Sequence, residues 1–98
     1  MKRPLFVTVS FHSKPDQIAP MKGLLHEIIT NTLSLEPGCI SYNVLQNAND
    51  ETCFSSLEVW RDAEAEEAHW KQAHLAQSLE KLPALIAGAP EVRKWHRI

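Results

Sequence analysis

Six side chains between Tyr42 and His74 have the types and spacing to do chemistry in this 98-residue chain. Ser56, Glu58 and Trp60 follow one another at two-residue steps, so in a strand they share one face. Tyr42 joins that face if residues 38–46 and 52–60 pair as a hairpin about Asn47–Glu51, as do Ile40, Val44 and Phe54. Aromatic walls with a few polar groups are the usual make-up of a small-molecule pocket. Glu58 is the oddest member, because a carboxylate within an apolar strand must be paired, solvated or kept neutral. His69 and His74 follow, and an imidazole with an unperturbed pKa of ~6.5 suits proton transfer at neutral pH. On one continuous helix the two rings would stand ~140° apart, unlike the same-face pair of a metal-binding helix. With no third ligand at a recognisable spacing, no metal is expected. The three glycines are scattered, so no phosphate-binding loop is encoded, and no serine sits in a nucleophile elbow.

These residues need elements to hold them. Leu5, Val7, Val9 and Phe11 alternate with Phe6, Thr8, Ser10 and His12, the pattern of a strand. Ser13-Lys14-Pro15-Asp16 signals a turn, after which Ile18, Met21, Leu25 and Ile28 mark an amphipathic helix that Pro37-Gly38 ends. The hairpin follows. Asp62 is placed to cap a second helix from about Ala63, with Leu75, Leu79, Leu82 and Ile86 continuing an apolar stripe that Pro83 kinks or splits. Gly88-Ala89-Pro90 reads as a turn, and Val92–Ile98 as the last strand. The order β-α-β-β-α-β implies a ferredoxin-like α+β fold, an antiparallel sheet with helices on one face, as a single domain over residues 1–98. The other sheet face needs a cover, and the simplest is a second copy of the chain.

A net charge of −2 gives no footprint for nucleic acid. No apolar run is long enough to span a membrane, and Met1-Lys2-Arg3-Pro4 leads into no signal-peptide core, which points to the cytoplasm. In the hairpin register above Cys53 lies near Leu45 and Cys39 near Val59, ~20 Å apart at strand rise, too far for a disulfide. The basic residues Arg93, Lys94 and Arg97 gather at the C-terminus as a charged strand edge or an anion clamp.

Glu36-Pro37-Gly38-Cys39-Ile40-Ser41-Tyr42, Phe54, Glu58-Val59-Trp60, and His69 with His74, in this order, resemble the antibiotic biosynthesis monooxygenase-like (ABM) domain family. The resemblance covers nearly the whole chain. It implies a homodimeric α+β barrel with a pocket between each sheet and its helices. It also implies a cofactor-independent monooxygenase that oxidises a quinol- or polyphenol-type aromatic with O2. Carried over, Trp60 walls the pocket, His69 is base or hydrogen-bond partner, and Tyr42 and Ser56 orient the substrate, with Phe54, Glu58 and His74 beside them. Ser56 stands where quinone-forming members have an Asn. The first strand has Thr8 and Val9 where haem-degrading relatives have an Asn, so no haem is implied. Val44-Leu45-Gln46 and the His69/His74 pair also resemble an isomerase branch acting on a small phosphorylated hydroxy-ketone, for which Lys71 or the C-terminal strand would hold phosphate. A non-catalytic dimeric small-molecule-binding module is the remaining reading.

Overall fold

A computed structural model describes residues 2–98. Strand β1 (Leu5–Ser13) is followed by helix α1 (Ile18–Leu35), strands β2 (Cys39–Asn47) and β3 (Asp50–Trp60), helices α2 (Ala63–His69) and α3 (Ala73–Leu79), a 3-10 turn over Leu82–Ala84, and strand β4 (Ile86–Trp95). The four strands form one antiparallel sheet in the order β2-β3-β1-β4. This is the ferredoxin-like α+β arrangement expected from the element order. Residues at alternate positions of β1 and β3 bury against the helices. Leu5, Val7 and Trp60 form one core cluster, and Phe11, Phe54, Met21, Leu24, Ile28, Leu75 and Leu85 form the other.

Several local expectations are corrected. The hairpin turns over two residues, Ala48 and Asn49, with Asn47 Oδ1 accepting the Asn49 N–H at 2.8 Å. The tighter turn shifts the register, so Tyr42 faces Glu58 and Leu45 faces Ser55 rather than Cys53. A shift by two residues preserves side-chain parity, and Tyr42, Val44, Phe54, Ser56, Glu58 and Trp60 keep one face. Ile40 does not: an irregularity between Cys39 and Ser41 turns it out to solvent and puts Cys39 against the Trp60 cluster.

The second helix is not continuous. It breaks at Trp70–Gln72, and Pro83 falls in the 3-10 turn. On one helix His69 and Leu75 would point ~120° apart, yet both are buried; the break lets both face inward. The span Gly88-Ala89-Pro90 is no turn but part of β4, bulged between the pairs His12–Ala87 and Ser10–Glu91. Gly88 takes a positive φ of 77° there, and Pro90, lacking an N–H, is tolerated because β4 is an edge strand. Residues 96–98 lie beyond the strand.

One glycine decides how the helices seat. A Cβ on Gly38 would lie 2.6 Å from Ala65 Cβ. Only the bare backbone lets the β2 entrance and α2 approach this closely.

Candidate active site

Glu36 ends α1, where its carboxylate faces the negative end of the helix dipole. Its side chain is nevertheless buried, and two imidazoles hold it. His69 Nδ1 lies 2.8 Å and His74 Nε2 2.6 Å from Glu36 Oε2. His69 occupies the last residue of α2 and His74 the first turn of α3, so the helix break brings both rings to one carboxylate. With Nδ1 committed to Glu36, Nε2 is the His69 nitrogen left to a substrate. The ring is fixed further by Trp60 at 4.7 Å, Tyr42 at 5.9 Å and Trp70 at 5.8 Å between centroids.

Below His69 lies Glu58. It accepts from Ser56 Oγ at 2.7 Å and from Trp60 Nε1 at 3.0 Å, while Ser56 Oγ accepts the Val9 N–H at 2.8 Å. No cation pairs with it among the described residues; burial pushes its carboxyl above the usual range, against the two hydrogen bonds that pull the other way. Burial, reinforced by Glu58, raises the Tyr42 phenol far above its ordinary value, so Tyr42 offers a neutral hydroxyl. Burial likewise pushes the Cys39 thiol up to about 11, which leaves little thiolate at neutral pH and suits strand filler better than a nucleophile. Cys39 and Cys53 are both free.

Between sheet and helices runs a cavity of about 200 Å3. Tyr42, Ser56, Glu58 and His69 line it. The other three candidates do not. Trp60 is fully buried behind His69 and supports the ring rather than walling the cavity. Phe54 stacks on Phe11 in the core, with 5.7 Å between centroids, and His74 reaches Glu36 from the far side. Glu36 is the participant to which the sequence assigned no role of its own. A carboxylate at a helix C-terminus, the unfavoured end, was the available signal.

Glu36, His69 and His74 also have the donor types of a metal site, with ligand atoms all within 4.8 Å. The expected ~140° separation of the two imidazoles assumed one unbroken helix and does not apply. Their contacts of 2.6 and 2.8 Å are hydrogen-bond lengths, shorter than the ~3.3 Å between ligands of a tetrahedral ion with bonds of 2.0–2.1 Å. The cluster as it stands shares protons. His74 Nδ1 is buried without a partner among the described residues.

The C-terminal cations are engaged elsewhere. Lys94 bonds the buried Glu66 at 3.0 Å, Arg93 pairs with Glu91, and Arg97 lies over the Phe6 ring at 5.1 Å. None lines the cavity.

Comparison with known proteins bears on what such a site does. The family model described as "Antibiotic biosynthesis monooxygenase" matches residues 4–81. An uncharacterized protein of Synechocystis sp., sll1783, is 31% identical over 90 residues, covering 92% of this chain; the chain spans about 60% of that relative's length. Among solved structures, a candidate antibiotic biosynthesis monooxygenase from Caulobacter crescentus CB15 superposes with a TM-score of 0.93 at 18% identity, covering 99% of this chain and 92% of that one. Rv0793 from Mycobacterium tuberculosis gives 0.87 at 25% identity, covering 97% and 95%. These likenesses carry the fold.

Proposed function

Since the chain belongs to the antibiotic biosynthesis monooxygenase family, we propose that it is a cofactor-independent monooxygenase of a small quinol- or polyphenol-type aromatic, using O2. The observation that carries this reading is His69, held by Glu36 at the polar end of an otherwise apolar cavity. A base oriented by a third group is the arrangement that prepares an imidazole for proton transfer. The Nδ1–H donates to Glu36, which fixes the tautomer and leaves the Nε2 lone pair for a phenolic proton. Removal of that proton makes the ring electron-rich enough to reduce O2 directly. For a hydroquinone, one oxygen atom enters a ring carbon, the ring leaves as a hydroxyquinone, and the other oxygen leaves as water. The substrate supplies all four electrons. In this reading Tyr42 and Ser56 orient the substrate with Glu58 beside them, and the aliphatic walls limit the access of water.

The phosphorylated hydroxy-ketone reading lacks a partner for its phosphate. Among the described residues no lysine or arginine lines the cavity, and a dianion there would meet Glu58. The uncovered sheet face, with Leu57 at 42% and Trp95 at 50% exposure, fits a homodimer in which a second copy covers it. Two free cysteines suit a cytoplasmic setting.

Oxygen uptake across a panel of hydroquinones, catechols and phosphorylated ketoses tests the proposal. Turnover of a quinol is expected in the native chain and a loss of at least a hundredfold in kcat in His69→Ala, whose circular dichroism stays native. Full activity of that variant would reject the role of His69. Binding without turnover across the panel would favour a binding module.

A further inference from the structure

The cavity has two unlike ends. Tyr42, Ser56, Glu58 and His69 supply its polar groups, together with Trp70, whose indole N–H is bonded to Glu66. Away from them it runs toward the core cluster of Phe11, Leu24 and Leu75, between Leu79, Leu82 and Ile86. Those last three pack against the core yet stay half-buried. Protein interiors are close-packed, so half-covered aliphatic side chains around a void of about 200 Å3 lack partner atoms. A cleft with such walls gains by taking up an apolar group that covers them. It disfavours a charged one, because among the described residues no cation or anion lines this limb; the nearby Lys81 and Glu27 are paired with each other outside the cavity, at 2.9 Å.

We infer that the aliphatic limb is a tail subsite: the substrate is a phenolic ring bearing an uncharged aliphatic chain, with the ring at His69 and the chain lying toward Leu79, Leu82 and Ile86. This rests on the reading that the polar end takes the reacting ring. It extends that reading by fixing what lies on the ring's other side. A bare polyphenol leaves the limb empty, and a sugar-like substrate puts hydroxyl groups where no partner exists.

The test is a series of hydroquinones substituted with chains from methyl to hexyl, titrated into the native protein. Binding is read from tryptophan fluorescence, with Trp60 and Trp70 both next to His69. The dissociation constant is expected to fall about fourfold per methylene, as burial of each CH2 predicts, until the limb is full. A chain of equal length ending in a carboxylate is expected to lose that gain. Leu82→Phe, which narrows the limb, is expected to flatten the dependence on chain length. A dissociation constant independent of chain length, or equal for neutral and carboxylate-ended chains, would overturn the subsite. Oxygen uptake on the same series separates the two proposals. Length-dependent binding without oxygen uptake on any member upholds the limb and sinks the oxygenase. Oxygen uptake with no effect of length does the reverse.

Discussion

Glu36 concentrates the chemistry at the scale of single residues, because one buried carboxylate serves two imidazoles. Glu36→Ala leaves both donors unsatisfied, at roughly 1–3 kcal/mol for each orphaned buried group. We expect a loss of about 2–6 kcal/mol by urea unfolding, together with the loss of turnover; unchanged stability would show that water serves the rings equally well. Glu58 makes a different prediction. Its folded carboxyl is raised above 4.5, first by burial. The native state therefore holds the proton more tightly than the unfolded chain does. That contribution to stability is fully present below 4.5 and is lost as pH rises through the raised value. The charged or titratable groups facing Glu58 are His69 and Glu66 from α2 and Tyr42 and Cys39 from β2. Unfolding measured across that window should slope downward with pH in the native chain and less so in Glu58→Gln; identical slopes would assign the effect to another group.

At the scale of elements, the close approach of β2 and α2 fixes the distance between Glu36 and His69. Gly38→Ala puts a methyl group into Ala65, and overpacking of this kind costs about 1–3 kcal/mol. Adding Ala65→Gly should restore much of the loss, which a double-mutant cycle of urea midpoints would measure. Additive effects would mean that the clash is relieved some other way. Asp62, whose Oδ1 accepts the Ala65 N–H at 2.8 Å, anchors the same helix, and it was readable as a cap from its place before an acidic first turn. The helix break after His69 was not readable. Nothing at Trp70–Gln72 is a helix breaker; burial of His69 beside Trp60, of Leu75 in the core and of Ser78 against Glu27 of α1 imposes it. For the same reason the bulge at Gly88–Pro90 looked like a turn: its glycine and proline are turn residues, and only pairing with β1 keeps them in a strand.

For the whole molecule, the sheet buries one face under its helices and leaves Leu57 and Trp95 exposed on the other. Sedimentation of the native chain is expected to give a dimer, and Leu57→Arg a monomer with native secondary structure; a native monomer would refute the symmetric cover. What the sequence determined by itself was everything local or periodic. Two-residue alternation set the strand faces, three- and four-residue spacing set α1, and their order set the ferredoxin-like sheet; Tyr42, Ser56 and Glu58 followed onto one face because parity survives a two-residue shift of register. Only the tertiary structure decided the rest. Glu36 lies 33 residues from His69 and 38 from His74, and the meeting of their side chains depends on where α1 ends, where α2 breaks, and how closely Gly38 lets them pack. These are outcomes of burial in three dimensions, and they leave no period in the chain. They moved Trp60 from the cavity wall, and His74 from the substrate, to the support of His69 and Glu36, and made Glu36 the residue on which the site turns.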